Sequence, residues 1–176
     1  RHRRDIIYSA SEVNMKFESF KQLLSHCAEK YGENVALRYD NNGTVCNITY
    51  AELYADVCRR AQEAKNLKEN CVGILQVPSA KWIIDMFACV IAGKQTVLLD
   101  ASSDAVTLQK CVLATDVETL FTDDVTAPYK NALKTCPQTV KKADGEGDIL
   151  FFTSGTTDSS KAVVLTSKSL CASAWN

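Results

Sequence analysis

The feature that most constrains this chain is an alternation of segments between residues 71 and 122. Cys71-Val72-Gly73-Ile74-Leu75-Gln76-Val77 is a nearly unbroken apolar run of strand length, as expected of a strand buried on both faces. Pro78-Ser79 leads into a helical segment at 80–92, closed by Gly93. Thr96-Val97-Leu98-Leu99-Asp100 reads as a second buried strand, 104–115 as a second helix, and Thr119-Leu120-Phe121-Thr122 as a third strand. Strands separated by helices of this length join through right-handed crossovers into a mainly parallel sheet. The expected class is α/β, a mainly parallel, doubly wound sheet flanked by helices.

The flanking segments add an N-terminal helix and hairpin. Phe17, Phe20, Leu23, Leu24, Cys27, Ala28 and Tyr31 recur at helical spacing, with Gly32 placed to end the helix. Val35-Ala36-Leu37-Arg38-Tyr39 and Val45-Cys46-Asn47-Ile48 read as strands joined by the turn residues Asp40-Asn41-Asn42-Gly43. Thr49-Tyr50-Ala51-Glu52 is a capping box opening a helix to about 67, with Leu53, Val57, Ala61 and Ala64 on one face. Residues 123–147 are polar, with Pro128, Pro137, Gly145 and Gly147, and read as a connection with a short strand near 138–141. Asp148-Ile149-Leu150-Phe151-Phe152 and Ala162-Val163-Val164-Leu165-Thr166 are further strands, and a helix begins after them. The expected organisation is an arm at 1–14, an α/β core at 15–122, the connection at 123–147 and a strand–loop–strand unit at 148–176.

Twenty Lys+Arg against twenty-one Asp+Glu give a net charge of −1, which argues against a strongly basic nucleic-acid binder. The longest apolar stretch, 82–92, is broken by Asp85 and falls short of the roughly 20 residues that span a bilayer. Arg1-His2-Arg3-Arg4 is followed by no apolar run of signal-peptide type, and reads as a solvated arm. Eight cysteines include no Cys-x-x-Cys, and His2 and His26 are the two histidines, so a zinc site is disfavoured. Most cysteines fall in apolar segments, as small core residues with free thiols in a reducing cytosol do. Trp82, Met86 and Phe87 read as core side chains rather than cofactor contacts.

The segment that carries chemistry is Thr153-Ser154-Gly155-Thr156-Thr157-Asp158-Ser159-Ser160-Lys161. Hydroxyls and backbone N–H groups supply donors, Gly155 lets the backbone approach, and Lys161 adds a mobile positive charge, a set suited to polyphosphate. The plain alternative is a solvated Ser/Thr-rich turn. A Walker P-loop is excluded, because Ser160 stands where the second glycine belongs and Ala162 follows the lysine. No Gly-x-Gly-x-x-Gly follows a strand, so dinucleotide binding has no support.

Residues 148–166 resemble the phosphate-binding signature of the adenylate-forming superfamily, which includes acyl-CoA synthetases, luciferases and peptide-synthetase adenylation domains. The resemblance continues elsewhere. Glu18-Ser19-Phe20 through Ala28-Glu29-Lys30-Tyr31 is similar to the family's opening helix, and Ile48-Thr49-Tyr50-Ala51-Glu52-Leu53 to its Leu-Thr-Tyr-x-Glu-Leu. Ser79-Ala80-Lys81-Trp82, Ala92-Gly93 and Val97-Leu98-Leu99-Asp100 resemble its following helix and strand. The resemblance implies a ligase that activates a carboxylic acid with ATP, releases pyrophosphate and passes the acyl group to a thiol such as coenzyme A. It implies that Thr153, Ser154, Gly155, Thr156, Thr157 and Lys161 line the loop on the ATP β- and γ-phosphates. Mg²⁺ would accompany ATP, with its protein ligand expected beyond Asn176, and no catalytic residue is expected within these residues.

Asp158, Ser160, Ala162 and Ser167 depart from the signature, where Gly, Pro, Gly and His stand. Either Asp158 and Ser160 keep the turn while loosening it, or ATP affinity is weakened. The adenine-binding Tyr-Gly-x-Thr-Glu, a ribose-binding aspartate and a late catalytic lysine are not within this sequence. The expectation is an N-terminal fragment, inactive alone, cytoplasmic, and prone to self-association through an uncovered apolar face. A long-chain fatty acid is the first substrate candidate. The alternatives are an amino or aryl acid, or a non-catalytic binding module of natural short length.

Overall fold

In a computed structural model of the chain, residues 16–41, 43–115, 117, 119–123, 145–153 and 161–174 are described. The arm at 1–14 and the strand expected near 138–141 lie outside them. The elements in chain order are α1 (Phe20–Tyr31), β1 (Val35–Asn41), β2 (Thr44–Thr49), α2 (Tyr50–Lys65), β3 (Cys71–Leu75), α3 (Ala80–Ile91), β4 (Gln95–Leu98), α4 (Ala105–Ala114), β5 (Thr119–Thr122), β6 (Ile149–Thr153), β7 (Lys161–Leu165) and α5 (Ser167–Ala174).

Helix starts follow the residues that can satisfy free N–H groups. Thr49 Oγ1 accepts from Glu52 N at 3.2 Å, and Glu52 Oε2 accepts from Thr49 N at 2.8 Å, so the capping box is complete. Ser79 Oγ accepts from Trp82 N at 3.2 Å at the start of α3, and Asp104 Oδ1 from Thr107 N at 2.8 Å at the start of α4. The first helix opens at Phe20 rather than Phe17, because Ser19 caps it through Gln22 N. A distant residue completes that start. The Glu146 carboxylate accepts from Phe20 N and Lys21 N, each at 2.8 Å.

The β1–β2 hairpin is antiparallel and forms its own two-stranded sheet. It packs on α1, α2 and α3 through Ala36, Leu37 and Ile48 against Leu24, Leu53, Val57, Ile83 and Ile84. The main sheet has the order β5-β3-β4-β6-β7. The first four strands are parallel, and β7 is antiparallel to β6, an orientation the sequence pattern did not specify.

Alternate strand residues enter two cores. Cys71, Leu75, Val97, Leu99 and Leu150 face Leu108, Cys111 and Val112 of α4. Val72, Ile74 and Leu98 face Ala64, Cys89 and Ala92 of α2, α3 and the turn after it, and Ile149 meets Val90, Phe20 and Cys171. Thus α1, α2, α3 and α5 cover one face and α4 the other.

The turn after α3 needs Gly93 at φ 77°, a left-handed conformation that side chains disfavour. Beside it, Gly147 donates N–H to Val90 O at 2.8 Å, and a Cβ at Gly147 would come 1.9 Å from Lys94 O. No helix among the described residues is long and apolar enough to cross a membrane.

Candidate functional site at the carboxyl edge of the sheet

From the carboxyl ends of β3 and β4, which lie side by side, the chain departs to opposite faces, into α3 and α4. That divergence opens a crevice of the kind in which α/β sheets bind ligands. A cavity of about 790 Å³ occupies it. Its walls come from the β3–α3 turn (Gln76, Val77, Pro78, Trp82), the β4–α4 connection (Leu98 to Ser103), α4 (Thr107, Leu108, Cys111) and β6 (Phe151, Phe152). From the sequence, Trp82 reads as a core side chain rather than a cofactor contact. It packs beside Ala64, Val72 and Cys89, and it also lines the cavity. Met86 and Phe87 stay in the core.

The last β6 residue, Thr153, directly follows Phe151 and Phe152 of the cavity wall, and its backbone pairs with Lys161, the first residue of β7. The two ends of the hydroxyl-rich segment are therefore neighbours at the cavity rim. Ser154, Gly155, Thr156 and Thr157 lie outside the described residues, as do the side chains of Thr153 and Lys161.

Behind the β3 end lies a charged cluster that sequence reasoning noted only as a break in an apolar stretch. Asp85 is 2% exposed. It accepts from Arg60 Nε at 2.6 Å, Gln76 Nε2 at 2.8 Å and Lys81 Nζ at 3.0 Å. Burial alone would raise its carboxyl pKa, but these bonds, Arg60's first, outweigh burial and hold it below the usual range. Arg60 also stacks 4.5 Å from the Phe121 ring centroid and pairs with Glu63, while Lys81 reaches Asp123 at 3.5 Å. Burial, reinforced by the Asp85 charge, pushes the neighbouring Cys89 thiol up to about 12, so it is an inert core residue.

On the β4 side, Asp100 Oδ1 accepts from Ser102 N at 2.8 Å and Ser102 Oγ at 2.7 Å, which folds the connection and lowers the Asp100 pKa. Among the described residues, no three His, Cys, Asp or Glu side chains gather to hold a metal ion. The described cysteines, Cys71, Cys89, Cys111 and Cys171 among them, form no disulfides.

The sheet and its helices define the fold of the N-terminal subdomain of adenylate-forming enzymes. The family model for the AMP-binding enzyme matches residues 24–176, and the chain belongs to that family. None of the curated proteins matches the chain in sequence. Among solved structures, the Klebsiella oxytoca NpsA N-terminal subdomain in complex with 3-hydroxyanthranilyl-AMSN is similar at 21% identity and TM-score 0.65, over 85% of this chain and 41% of that one. An artificially fused NpsA-ThdA adenylation–PCP di-domain from the same organism is similar at 22% identity and TM-score 0.65, over 88% of this chain and 34% of the other. The o-succinylbenzoate CoA synthetase MenE from Bacillus subtilis, in complex with OSB-AMP, follows at 22% identity and TM-score 0.62, over 82% and 41%. This chain therefore spans less than half the length of these relatives.

Proposed function

We propose that the chain is the part of an AMP-forming acid–thiol ligase that holds the ATP β- and γ-phosphates. The observation that carries the reading is the Thr153–Lys161 backbone pair at the carboxyl end of β6. It brings the two ends of the hydroxyl-rich segment together at the carboxyl end of β6, beside the cavity, and the family membership supports the same use. In this reading Thr153, Ser154, Gly155, Thr156, Thr157 and Lys161 bind the phosphates, and Lys161 offsets the negative charge that grows on departing pyrophosphate. A substrate carboxylate oxygen attacks the α-phosphorus, the bond to pyrophosphate breaks, and the acyl-adenylate then loses AMP to a thiol, coenzyme A in the first instance. Mg²⁺ accompanies ATP and is held outside the described residues. A cytosolic setting and self-association of this part alone, through exposed Val106, Leu113 and Val164, belong to the same proposal.

The substrate is a carboxylic acid, with a long-chain fatty acid as the first candidate. A second reading, activation of an aryl acid, draws on the NpsA and MenE complexes, whose ligands are aryl-acyl adenylates or their analogues. The test is acid-dependent exchange of pyrophosphate into ATP by the full-length protein, with palmitate, 3-hydroxyanthranilate and an amino-acid panel in parallel. Exchange with one class identifies the acid. No exchange with any acid, from a folded protein that also fails to bind ATP, contradicts the reading.

A further inference from the structure

The β1–β2 hairpin is a sheet of its own, and among the described residues β1 pairs with β2 alone. Leu37, Tyr39, Cys46 and Ile48 share its half-buried face, and Arg38, Asp40, Val45 and Asn47 share the exposed one. Two strands alone are marginal in water, and an unpaired strand edge is a template for another strand.

The register tells which groups the β1 edge presents. Asn41 pairs with Thr44 across a two-residue turn, and such a closing pair exchanges both of its backbone hydrogen bonds. Bonded pairs alternate with non-bonded ones along the ladder. Tyr39 and Asn41 therefore turn their N–H and C=O groups to β2, and Arg38 and Asp40 turn theirs outward. The register shift lies between Val35 and Leu37, outside this stretch.

Charges on an edge ordinarily block pairing. Arg38 and Asp40, however, carry opposite charges two positions apart on one face, so the edge is complementary to itself. An antiparallel copy centred on Tyr39 sets Arg38 opposite Asp40 of the second copy, and Asp40 opposite its Arg38. Both are pairs whose outward backbone groups meet, so a single register satisfies the backbone and the charges together. Tyr39 meets its own copy in the closer, non-bonded kind of pair, at about 4.5 Å between Cα atoms, which brings the two rings together. Within the hairpin, Arg38 donates through Nε to Asn47 Oδ1 at 3.0 Å, and Asp40 Oδ1 accepts from Gly43 N at 3.0 Å. The terminal guanidinium nitrogens and Asp40 Oδ2 are the atoms that reach across.

We propose that two copies of this chain join edge to edge through β1, antiparallel about Tyr39, into a four-stranded sheet. The proposal goes beyond the ligase reading and does not depend on it. It is also separate from the exposed patch of Val106, Leu113 and Val164, which belongs to α4 and the main sheet.

The test is sedimentation velocity on the full-length protein at roughly 100 μM, enough to populate an interface of low affinity. The expected result is a dimer. Arg38→Asp sets like charges opposite one another at both pairs and should weaken association at least ~tenfold. Asp40→Arg alone should do the same. The double exchange, Arg38→Asp with Asp40→Arg, restores opposite charges and should recover the wild-type association within about threefold, although the Asn47 and Gly43 bonds are given up. Val164→Asp, on the separate patch, should leave the dimer unchanged. Circular dichroism checks that each variant is folded. A monomeric wild type, a dimer that a single exchange leaves intact, or a folded double exchange that stays monomeric overturns the proposal. Dissociation in Val164→Asp places the contact on the patch and overturns it as well. The wild type and either single variant decide even if the other variant fails to fold.

Discussion

Two buried polar residues sit at opposite ends of the same sheet and are treated differently. Lys94, before β4, is 4% exposed and donates to Leu67 O at 2.9 Å and Glu69 O at 2.8 Å. Gly147 packs its backbone against the same residue. That end is closed and its cation is spent on carbonyls. Gln76, after β3, is 2% exposed, gives its N–H to Asp85 and leaves its buried Oε1 without a hydrogen-bond partner, while the residue borders the cavity. The difference teaches that the amino edge is closed by satisfied contacts, while the carboxyl edge carries the cavity and the unpaired buried atom. Buried polar groups are normally satisfied, so an open one at the carboxyl edge is informative where a satisfied one at the amino edge is not.

The sharpest way to break this comparison is through the Asp85 cluster, which supports the open end. Asp85→Ala leaves Arg60, Gln76 and Lys81 without their common acceptor, and should lower stability by about 3 kcal/mol in urea unfolding. The pH dependence has a definite sign. Because the folded carboxyl is depressed, its contribution is complete above the unfolded value of about 3.9 and is lost as pH falls through the folded one. Asp85→Asn should therefore flatten the acid limb of the stability curve, seen by thermal melts between about pH 2 and 5. An unchanged limb would place the titration elsewhere.

Next in size is the closed end. Lys94→Met strips the donor from two carbonyls and should cost about 2 kcal/mol in the same unfolding assay, with ligand binding at the carboxyl edge unchanged. A Lys94 variant that alters binding would undo the contrast between the two ends. A smaller effect is expected at Thr49, whose replacement by Ala removes half of the α2 capping box and should cost about 1 kcal/mol.

The smallest expected effect concerns Asp158. Its negative charge stands where the family signature has glycine, so Asp158→Gly should tighten ATP binding by the full-length protein about threefold, read by isothermal titration. Equal or weaker affinity in the variant would show that the Asp158 carboxylate does not oppose the nucleotide.

The sheet was legible because β3, β4 and β5 are apolar runs whose period differs from that of the helices between them. Helix starts were legible because Thr49, Ser79 and Asp104 act on residues three positions away. What escaped were couplings across the chain. Glu146 caps α1 from 126 positions away, and nothing local marks it. Asp85 drew notice only as a charge inside an apolar helix, since Arg60 and Gln76 come to it from other elements. The signal available was the pairing of two misfits, a Gln at the end of an apolar strand and an Asp inside an apolar helix. The antiparallel turn of β7 also escaped, because an apolar run fixes burial but not strand direction.

The central claim is that the 153–161 segment holds the β- and γ-phosphates at the carboxyl edge. The direct measurement is the affinity of the full-length protein and of Lys161→Ala for ATP, pyrophosphate and AMP. The account predicts that the variant loses roughly tenfold or more for ATP and pyrophosphate and nothing for AMP, which lacks the contacted groups. Equal ATP affinity in the two proteins, or an equal loss for AMP, would contradict it.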